Sequence, residues 1–413
     1  MKRKIILLTT TMFLGSLWCG QTWAEEVSGT SLSDYEISQE MSIMRYDERI
    51  LSLKEEHFEY HEGGAYPTIS VRGINYDVST GEELVLNDIL ADPEVFETAA
   101  VKFIIGYMQA VYDTYGLEVT EEQIRNYWET DLEWYINASG INLIFNEGII
   151  GPHAVGVIEI PMTLAEGESY IKPEYRNFET AGVYAVQKNI PLIVKNEEEA
   201  FSLMLNVEEQ EYDLIYSVLS GTNTVDLGHL GYFKDAYYVK KTDGKDYLMF
   251  DFDMASEDYT TYLLDVGKDG AAKTDTLFSA IDSSFISSDK FDMEYCVNML
   301  GSYGSEKTYY IDENGMFVTD ETEYRLKGDV EDRYELKTVT EIPVIIDGTE
   351  TILPAGTGLR VIGTDDETYV RVQISETGQM GELKVRRDEE ERWMIYIGDY
   401  EAESCFEMLP YAG

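Results

Sequence analysis

The most regular pattern of apolar and polar positions lies between residues 92 and 116. Asp92-Pro93-Glu94 at its beginning predicts the start of a helix. Asp is a common N-terminal cap, Pro fits the first turn of a helix, and an acidic side chain is favourable near the positive end of the helix dipole. Gly116 ends this helix, and a capping box from Thr120 to Gln123 predicts a second helix to about residue 130. Apolar residues in the first helix recur with a period of about 3.6 at Phe96, Ala100, Phe103, Ile104, Tyr107, Met108 and Val111.

Alternating apolar and polar positions predict strands on both sides of these helices. We therefore predict an α+β domain at residues 25–180, built from an antiparallel sheet with two helices. Its first residues, 25–40, are small, polar and acidic, so we expect a flexible lead-in there. The predicted strands, of which the fourth and fifth form a hairpin, lie at residues 41–45, 50–60, 68–76, 133–137, 141–146 and 154–161.

The remaining residues alternate with period two almost throughout. Residues 181–335 predict a β-rich domain, arranged as a meander or a sandwich, with one helix near residues 197–206. Residues 336–413 predict a small closed barrel of SH3-like fold, which hosts many binding roles and specifies none of them. The clearest strands of these two domains lie at residues 236–241, 247–253, 260–266, 307–311, 316–319, 342–346, 358–364, 369–374 and 381–385.

The composition narrows the classes of function. The chain has 413 residues, with 79 Asp and Glu against 31 Lys and Arg, which gives a formal net charge of −48. Nucleic acids and anionic membrane surfaces bind cationic proteins, so this charge argues against both as partners. Hydrophobic residues make up 44% and aromatic residues 12% of the chain, which is enough to build packed cores and excludes a disordered protein.

Residues 1–24 have the three parts of a secretory signal peptide. Lys2-Arg3-Lys4 is the positive start, residues 5–18 are apolar, and Thr22-Trp23-Ala24 supplies the small residues of a cleavage site. We therefore expect a secreted or extracytoplasmic protein associated with the cell wall. A retained membrane anchor and lipidation at Cys19 are the alternatives. No later segment is apolar for long enough to insert into a membrane after signal cleavage.

Several short motifs follow one another in residues 35–175. They are Leu51-Ser52-Leu53, Tyr60 before Gly63-Gly64-Ala65-Tyr66, Ser79-Thr80-Gly81 before Asp88, a hairpin that ends at Phe145, and Gly151-Pro152-His153-Ala154. In this order the motifs resemble the extracytoplasmic domain of the RsiV family of anti-sigma factors, whose outer domain senses lysozyme. Related domains precede peptidoglycan deacetylase modules. The resemblance implies a cell-envelope protein of a Gram-positive bacterium.

Two departures from the family pattern mark a candidate binding site. Tyr66 stands where the family has His, and His153 stands where it has Tyr. We infer that these two side chains are neighbours that have exchanged roles in one hydrogen-bonded contact. Tyr60, Gly63 and Gly64 complete the motif around Tyr66 and are the other binding residues that the resemblance implies. The sequence shows neither a cytoplasmic anti-sigma segment nor a deacetylase domain, so we expect binding or sensing.

A metal site is the second candidate. His57, Glu59 and His61 share one face of a strand, because strand side chains alternate, so two imidazoles and a carboxylate are available to bind zinc. The alternative is a solvated polar face of an edge strand. The acidic clusters do not match the calcium loop of an EF-hand, so we expect turn residues there and at most weak calcium binding. After signal cleavage Cys296 and Cys405 remain, as one disulfide or as two buried thiols.

No familiar catalytic or nucleotide-binding motif occurs: the chain has no G-x-S-x-G elbow, no G-x-G-x-x-G and no Walker loop. We therefore expect a non-enzymatic envelope protein without a cofactor, with a cationic protein such as lysozyme as the first partner to test. One alternative is an envelope hydrolase with an acidic site. The other is a peptidoglycan or wall-glycan binding module, carried by the SH3-like end and by aromatic residues that otherwise pack in the core, namely Tyr127, Trp128, Trp134 and Tyr135.

Overall fold

The chain forms two compact units that are mostly antiparallel β-sheet. The computed structural model describes residues 35–411, apart from residues 62, 64–65, 113–118, 131, 164–169, 196–199, 211–212 and 255–257. The first unit takes in the described part of Thr22–Phe291 and Ile311–Phe317, and the second takes in Asp292–Tyr310 and the described part of Val318–Gly413. The predicted signal peptide lies outside the described residues. None of the helices in the described part combines the length and the apolar character that a membrane span requires.

The helices begin where the local sequence signals place them. Helix α2 begins at Pro93, and the Asp92 carboxylate accepts a hydrogen bond of 3.2 Å from the N–H of Val95. In front of α3, Gln123 accepts a bond of 2.9 Å from the N–H of Thr120, whose hydroxyl in turn accepts one of 3.3 Å from the N–H of Gln123. This is the predicted capping box. The helices are α1 (Leu86–Ile89), α2 (Pro93–Tyr112) and α3 (Glu121–Thr130).

Sixteen strands belong to the first unit, among its described residues. The first fifteen form an eight-stranded sheet in the order β15-β14-β13-β12-β7-β1-β2-β3, a four-stranded sheet β11-β10-β9-β8 and a three-stranded sheet β4-β5-β6, and β16 belongs to none of these three. The strands are β1 (Tyr35–Asp47), β2 (Ile50–His61), β3 (Thr68–Asp77), β4 (Glu133–Asn137), β5 (Gly140–Phe145), β6 (Ile158–Thr163), β7 (Gly182–Ala185), β8 (Leu192–Lys195), β9 (Ala200–Gln210), β10 (Asp213–Ser220), β11 (Asn223–Leu230), β12 (Tyr232–Lys240), β13 (Asp246–Asp253), β14 (Tyr259–Gly267), β15 (Gly270–Leu277) and β16 (Ala280–Ile286).

Two local predictions are wrong. The helix expected near residues 197–206 is replaced by β9, because Phe201, Leu203, Leu205 and Val207 are buried while the residues between them are less so. That is the period of a strand. Residues 25–34 of the expected flexible lead-in lie outside the described residues, but from Tyr35 onward it is part of β1, which pairs with β2 as far as Tyr46.

Two cores hold the first unit together. In one, α2 and α3 pack against the three-stranded sheet through residues such as Phe96, Ile104 and Leu143. In the other, the four-stranded sheet packs against the middle of the eight-stranded sheet. Strand β7 pairs with β1 on one side and with β12 on the other. The eight-stranded sheet therefore runs across residue 180, where the sequence suggests a boundary between domains.

A buried charge network ties β1 to the segment before β7. Arg45 is 1% exposed and lies 2.6 Å from the equally buried Asp47. Its guanidinium also donates to the carbonyl oxygens of Tyr175 and Arg176 and to the side-chain oxygen of Asn177. Because every part of this charge pair has a partner, it stabilises the join between the two cores.

The second unit is an open sheet among its described residues, not the closed barrel that the sequence predicts. Its strands follow the order β17-β18-β20-β24-β25-β26-β22-β23, with β27 beside β26. Strand β24 pairs with β20 and β21 as well as with β25, so the sheet extends beyond the predicted barrel. The strands are β17 (Phe291–Asn298), β18 (Ser302–Ile311), β19 (Phe317–Val318), β20 (Tyr324–Leu326), β21 (Leu336–Lys337), β22 (Ile342–Ile346), β23 (Thr349–Leu353), β24 (Gly358–Thr364), β25 (Tyr369–Ile374), β26 (Met380–Arg387), β27 (Ile395–Ile397) and β28 (Tyr400–Glu401).

The two cysteines left after signal cleavage occupy different environments in the second unit. Cys296 is exposed and Cys405 is buried, and neither forms a disulfide. Cys405 packs in the core of this unit, and burial raises the pKa of its thiol. Of the two arrangements that the sequence left open, the disulfide is not formed, and only Cys405 is a buried thiol.

Candidate binding site

The outer edge of β3 is satisfied by side chains rather than by another strand. Asn146 accepts a hydrogen bond of 2.7 Å from the N–H of Val71 and donates one of 3.0 Å to the carbonyl oxygen of Val71. Glu147 accepts one of 3.3 Å from the N–H of Ile69. These three bonds hold the connection after β5 against β3, far from it in the sequence.

A third side chain, and the second acid, binds the same edge further along. The Glu133 carboxylate accepts a hydrogen bond of 3.1 Å from the N–H of Gly73. Burial raises the pKa of the Glu133 carboxyl, and the Gly73 N–H acts against that rise. A β-carbon at position 73 would lie 1.7 Å from the carbonyl oxygen of Trp134, so only glycine allows the two strands to approach so closely.

Residues 146–156 after β5 are bound to this edge, and residues 62–67, of which 63, 66 and 67 are described, lead from β2 into β3; we call these two segments the loop pair. Gly63 has a φ of +84°, and an added β-carbon would meet no atom there, so the glycine serves the backbone conformation. Tyr66 is 83% exposed. His153 opens a single turn of 3-10 helix, His153–Val155, where the sequence predicts the start of a strand. Gly64 lies outside the described residues.

The structure gives His153 a different partner from the one expected. Its Nδ1 lies 2.9 Å from Oε2 of Glu147, and the Glu147 side chain is 9% exposed while that of His153 is 66% exposed. Tyr66 makes no hydrogen bond to any described residue, so the hydrogen bond expected between Tyr66 and His153 is absent. Both side chains are instead presented to solvent, and the bonds from Asn146 and Glu147 to β3 fix the base of the loop that carries His153. Tyr60 lies near the end of β2, just before the loop that carries Tyr66, and pairs with Glu36 of β1.

An acidic surface leads into the loop pair along β1 and β2. It consists of Glu36, Glu40 and Glu56, which share one face of the paired strands, and we call it the acidic ladder. Glu40 stands directly opposite Glu56 in the antiparallel register. Like charges in such a pair destabilise a sheet. The arrangement therefore costs stability and attracts cations.

One lysine partly neutralises the ladder. Lys54 lies 2.8 Å from Glu159 and 3.9 Å from Glu56. Burial acts to lower the pKa of Lys54, but Glu159 and Glu56 outweigh it and raise that pKa above its ordinary value. Lys54 is therefore a charged and firmly bound part of this surface.

The predicted metal ligands do not converge. His57, Glu59 and His61 all lie in β2, which is paired on both sides over most of this stretch and is not an edge strand. Because the strand stays extended, His57 and His61 are about 13 Å apart along it. Within the described ranges, no group of three His, Cys, Asp or Glu is placed to hold a metal ion.

The aromatic cluster near α3 belongs to the core. Tyr127, Trp134 and Tyr135 are at most 8% exposed, and Trp128 packs against the same core. Tyr135 also donates a hydrogen bond to Glu159, and burial raises the pKa of its hydroxyl well above the ordinary value. These rings are not available to stack on a sugar.

Sequence reasoning missed the residues that build the site, Asn146, Glu147 and Glu133. Asn146 and Glu147 come directly after the last apolar residue of β5, and Glu133 is the first residue of β4. Polar side chains at strand ends are a recognisable signal. The sequence does not reveal that their partners are backbone groups of β3.

Comparison with known proteins yields weak similarities. No family model and no curated protein sequence matches the chain. A solved structure of a DUF3298 family protein from Bacteroides fragilis is similar at 20% identity and a TM-score of 0.27, over 34% of this chain and 55% of that one. A DUF3298 family structure from Pseudomonas aeruginosa is similar at 16% identity and a TM-score of 0.26, over 34% of this chain and 63% of that one. The chain thus covers less than two thirds of either structure, and the RsiV resemblance stays an expectation from sequence motifs.

Proposed function

We propose that this protein is a non-enzymatic, extracytoplasmic binding protein whose loop pair takes a cationic protein such as lysozyme. The observation that carries the proposal is the loop pair itself, which presents Tyr66 and His153 to solvent, with the loop of His153 bound to β3. Rigid exposed aromatic side chains are typical anchors of protein interfaces. Two of the sequence motifs that resemble the RsiV family, those around Tyr66 and His153, lie in the same two loops.

The acidic ladder supports a cationic partner. It lies on β1 and β2, and β2 continues directly into the loop that carries Tyr66. With a net charge of −48, the chain attracts a basic protein over a long range, which speeds encounter. Salt screens that attraction, so charge alone gives weak and unspecific binding. The loop pair is needed to provide the specific contact.

Calorimetric titration with lysozyme at about 50 mM and at about 300 mM salt tests the proposal, because these two concentrations differ strongly in screening. We expect one-to-one binding that survives the higher salt. Tyr66→Ala and His153→Ala should each weaken it about tenfold or more, as removal of interface anchors does. Tyr232→Ala is the matched control, because Tyr232 is a 72% exposed tyrosine at another site in the same unit. Binding that disappears at high salt, or that the loop variants leave unchanged, would refute the proposal.

The hydrolase alternative needs a separate measurement. Glu147 and His153 form a carboxylate–imidazole pair, an arrangement that hydrolases also use. Turnover of soluble wall fragments by the protein, abolished by Glu147→Gln, would favour this alternative over binding. We expect no turnover from either form.

A further inference from the structure

One face of the second unit differs from the rest of this acidic chain. In β26, Leu383 and Val385 are buried in the core, whereas Lys384 and Arg386 alternate with them and are exposed. Side chains of a strand point to opposite faces in turn. Lys384 and Arg386 therefore share the outer face, about 7 Å apart along the strand.

Two tyrosines stand opposite these cations. Tyr369 of β25 pairs with Lys384, and Tyr396 of β27 pairs with Arg386. The Arg386 guanidinium lies 4.1 Å from the centroid of the Tyr396 ring. Directly opposed residues of an antiparallel pair lie on the same face. We call these four residues the cation–tyrosine strip.

The other arginines around the strip are neutralised. Arg371 pairs with Glu323, Arg387 lies 2.7 Å from Asp366, and Arg392 lies 2.7 Å from Glu367. In the part of the chain that the structure describes, no carboxylate lies within ion-pair distance of the two strip cations. In a chain with 79 acids, two adjacent cations left without an acid are available to a ligand.

Acidic residues lie around the strip but do not cover it. Glu382 shares the outer face two residues before Lys384, and Glu401 stands opposite Tyr396. Asp388 lies close enough to feel the charge of Arg386, although backbone N–H groups are the main cause of the lowered pKa of that carboxyl. A bound anion is thus confined to the stretch between these acids.

We propose that the cation–tyrosine strip binds an acidic polysaccharide. The ammonium of Lys384 and the planar guanidinium of Arg386 would take carboxylate or phosphate groups, and the half-buried rings of Tyr369 and Tyr396 would contact the faces of the sugars. The rings are held in place, since the Tyr369 hydroxyl donates a bond of 3.3 Å to Glu323. A nucleic acid fits less well, because it requires a larger cationic footprint.

This proposal does not depend on the loop pair, because all four residues belong to the second unit. It gives a concrete location to the wall-glycan alternative that the sequence raises for residues 336–413. It also names the part of that region that makes contact. The aromatic cluster near α3, in the first unit, takes no part.

The test measures binding of three labelled short oligomers to the full chain. An oligogalacturonide carries carboxylates on sugars, an oligomer of glycerol phosphate carries phosphates without sugar rings, and a maltooligosaccharide carries sugars without charge. Salt is kept at about 150 mM, where screening beyond about 8 Å removes the long-range repulsion from the rest of the acidic chain. Short oligomers avoid the gain that multivalent polymers obtain from avidity.

The double variant K384A/R386A should weaken oligogalacturonide binding about tenfold or more, since two charge-assisted contacts are lost. Arg392→Ala is the matched control and should change it less than about twofold, because this 67% exposed arginine is already paired with Glu367. Arg386→Lys keeps the charge and removes the planar fork, and should give an intermediate loss. Circular dichroism confirms that the variants fold.

The three oligomers also identify which kind of polymer supplies the anionic groups. Preference for the oligogalacturonide, with a loss in Tyr396→Ala, supports an acidic sugar. Binding of the glycerol phosphate oligomer that is as tight as that of the oligogalacturonide and depends on Lys384 and Arg386 would show that the strip takes phosphate without sugar, and would overturn the proposal. Oligogalacturonide binding no tighter than that of the neutral oligomer, or a double variant that behaves like Arg392→Ala, would overturn the proposal.

Discussion

The acidic ladder of the first unit and the cation–tyrosine strip of the second are built in the same way and have opposite chemistry. Each is a set of exposed and half-buried residues on antiparallel strands. In the ladder, Glu40 faces Glu56, which repels. In the strip, Arg386 faces Tyr396 and attracts it.

This difference shows that the net charge of a chain does not describe its individual surfaces. A charge of −48 predicts a cationic partner for the molecule as a whole. The cross-strand register decides which charges stand together, and so creates a local cationic site within an acidic protein. Cross-strand pairing within the acidic ladder lowers the stability of the fold, whereas pairing within the cation–tyrosine strip raises it. The two surfaces are therefore expected to respond oppositely to substitution.

The largest expected effect is a loss of stability in the first unit but not in the second. Arg45→Met leaves Asp47 buried without its partner, and breaking a buried pair in this way costs about 3–5 kcal/mol of the free energy of unfolding. Hydrogen exchange measured by mass spectrometry should show lost protection in residues 35–291 and unchanged protection in residues 318–411. Equal loss in both ranges would mean that the units do not unfold separately.

The next effect is a dependence of stability on pH in the first unit. Asp251 is fully buried and accepts bonds of 2.7 Å from the N–H of Asp235 and 2.8 Å from the N–H of Ile281. Burial raises its pKa from 3.8 to about 7, with Lys234 opposing and Asp235 adding to the rise. Because the folded protein then binds a proton that the unfolded chain has released, this group stabilises the fold at low pH and less as pH rises to about 7.

Denaturant titrations across this pH window check the sign. The contribution of Asp251 falls by at most roughly 1.4 kcal/mol per pH unit between the two pKa values. Asp251→Asn cannot titrate, so the slope of the free energy of unfolding against pH should be less negative in the variant. An identical slope in both proteins would show that Asp251 titrates normally.

A smaller effect concerns the base of the loop pair. Asn146→Ala leaves the N–H and carbonyl of Val71 without their side-chain partners, which should cost about 1–3 kcal/mol of the free energy of unfolding. It should also weaken binding of the cationic partner, because the loop of His153 loses its support. The exposed Asn314→Ala, which removes only contacts within a turn, is the control for chemical denaturation and calorimetry. Equal stability of the two variants would show that Asn146 does not hold the loop.

The smallest effect acts on the ladder itself. Glu40→Lys replaces the repulsion from Glu56 by attraction, so the free energy of unfolding should rise by about 0.2–1 kcal/mol while affinity for the cationic protein falls. Glu36→Lys makes the same change of charge opposite the neutral Tyr60, so it should lower affinity without the gain in stability. Equal stability of the two variants would show that the like-charge pair does not destabilise the fold.

The sequence by itself determined the elements whose signals are local. The caps at Asp92 and Thr120 place the starts of α2 and α3, because the groups they satisfy lie within the same turn. Alternation places β22, β24, β25 and β26 close to their predicted limits, because a strand that buries one face needs no other information. The same alternation was present in β9, where the prediction of a helix overlooked it.

Only the tertiary structure decided which elements pair and which side chains meet. Strand β7 joins β1 to β12, and β24 pairs with β20 instead of closing a barrel, because strand partners are chosen by contacts between distant segments. Asn146 meets Val71 across 75 positions of the chain, and His153 contacts Glu147 instead of Tyr66. Neither surface described here is visible in the composition, since the register between strands sets which charges stand side by side.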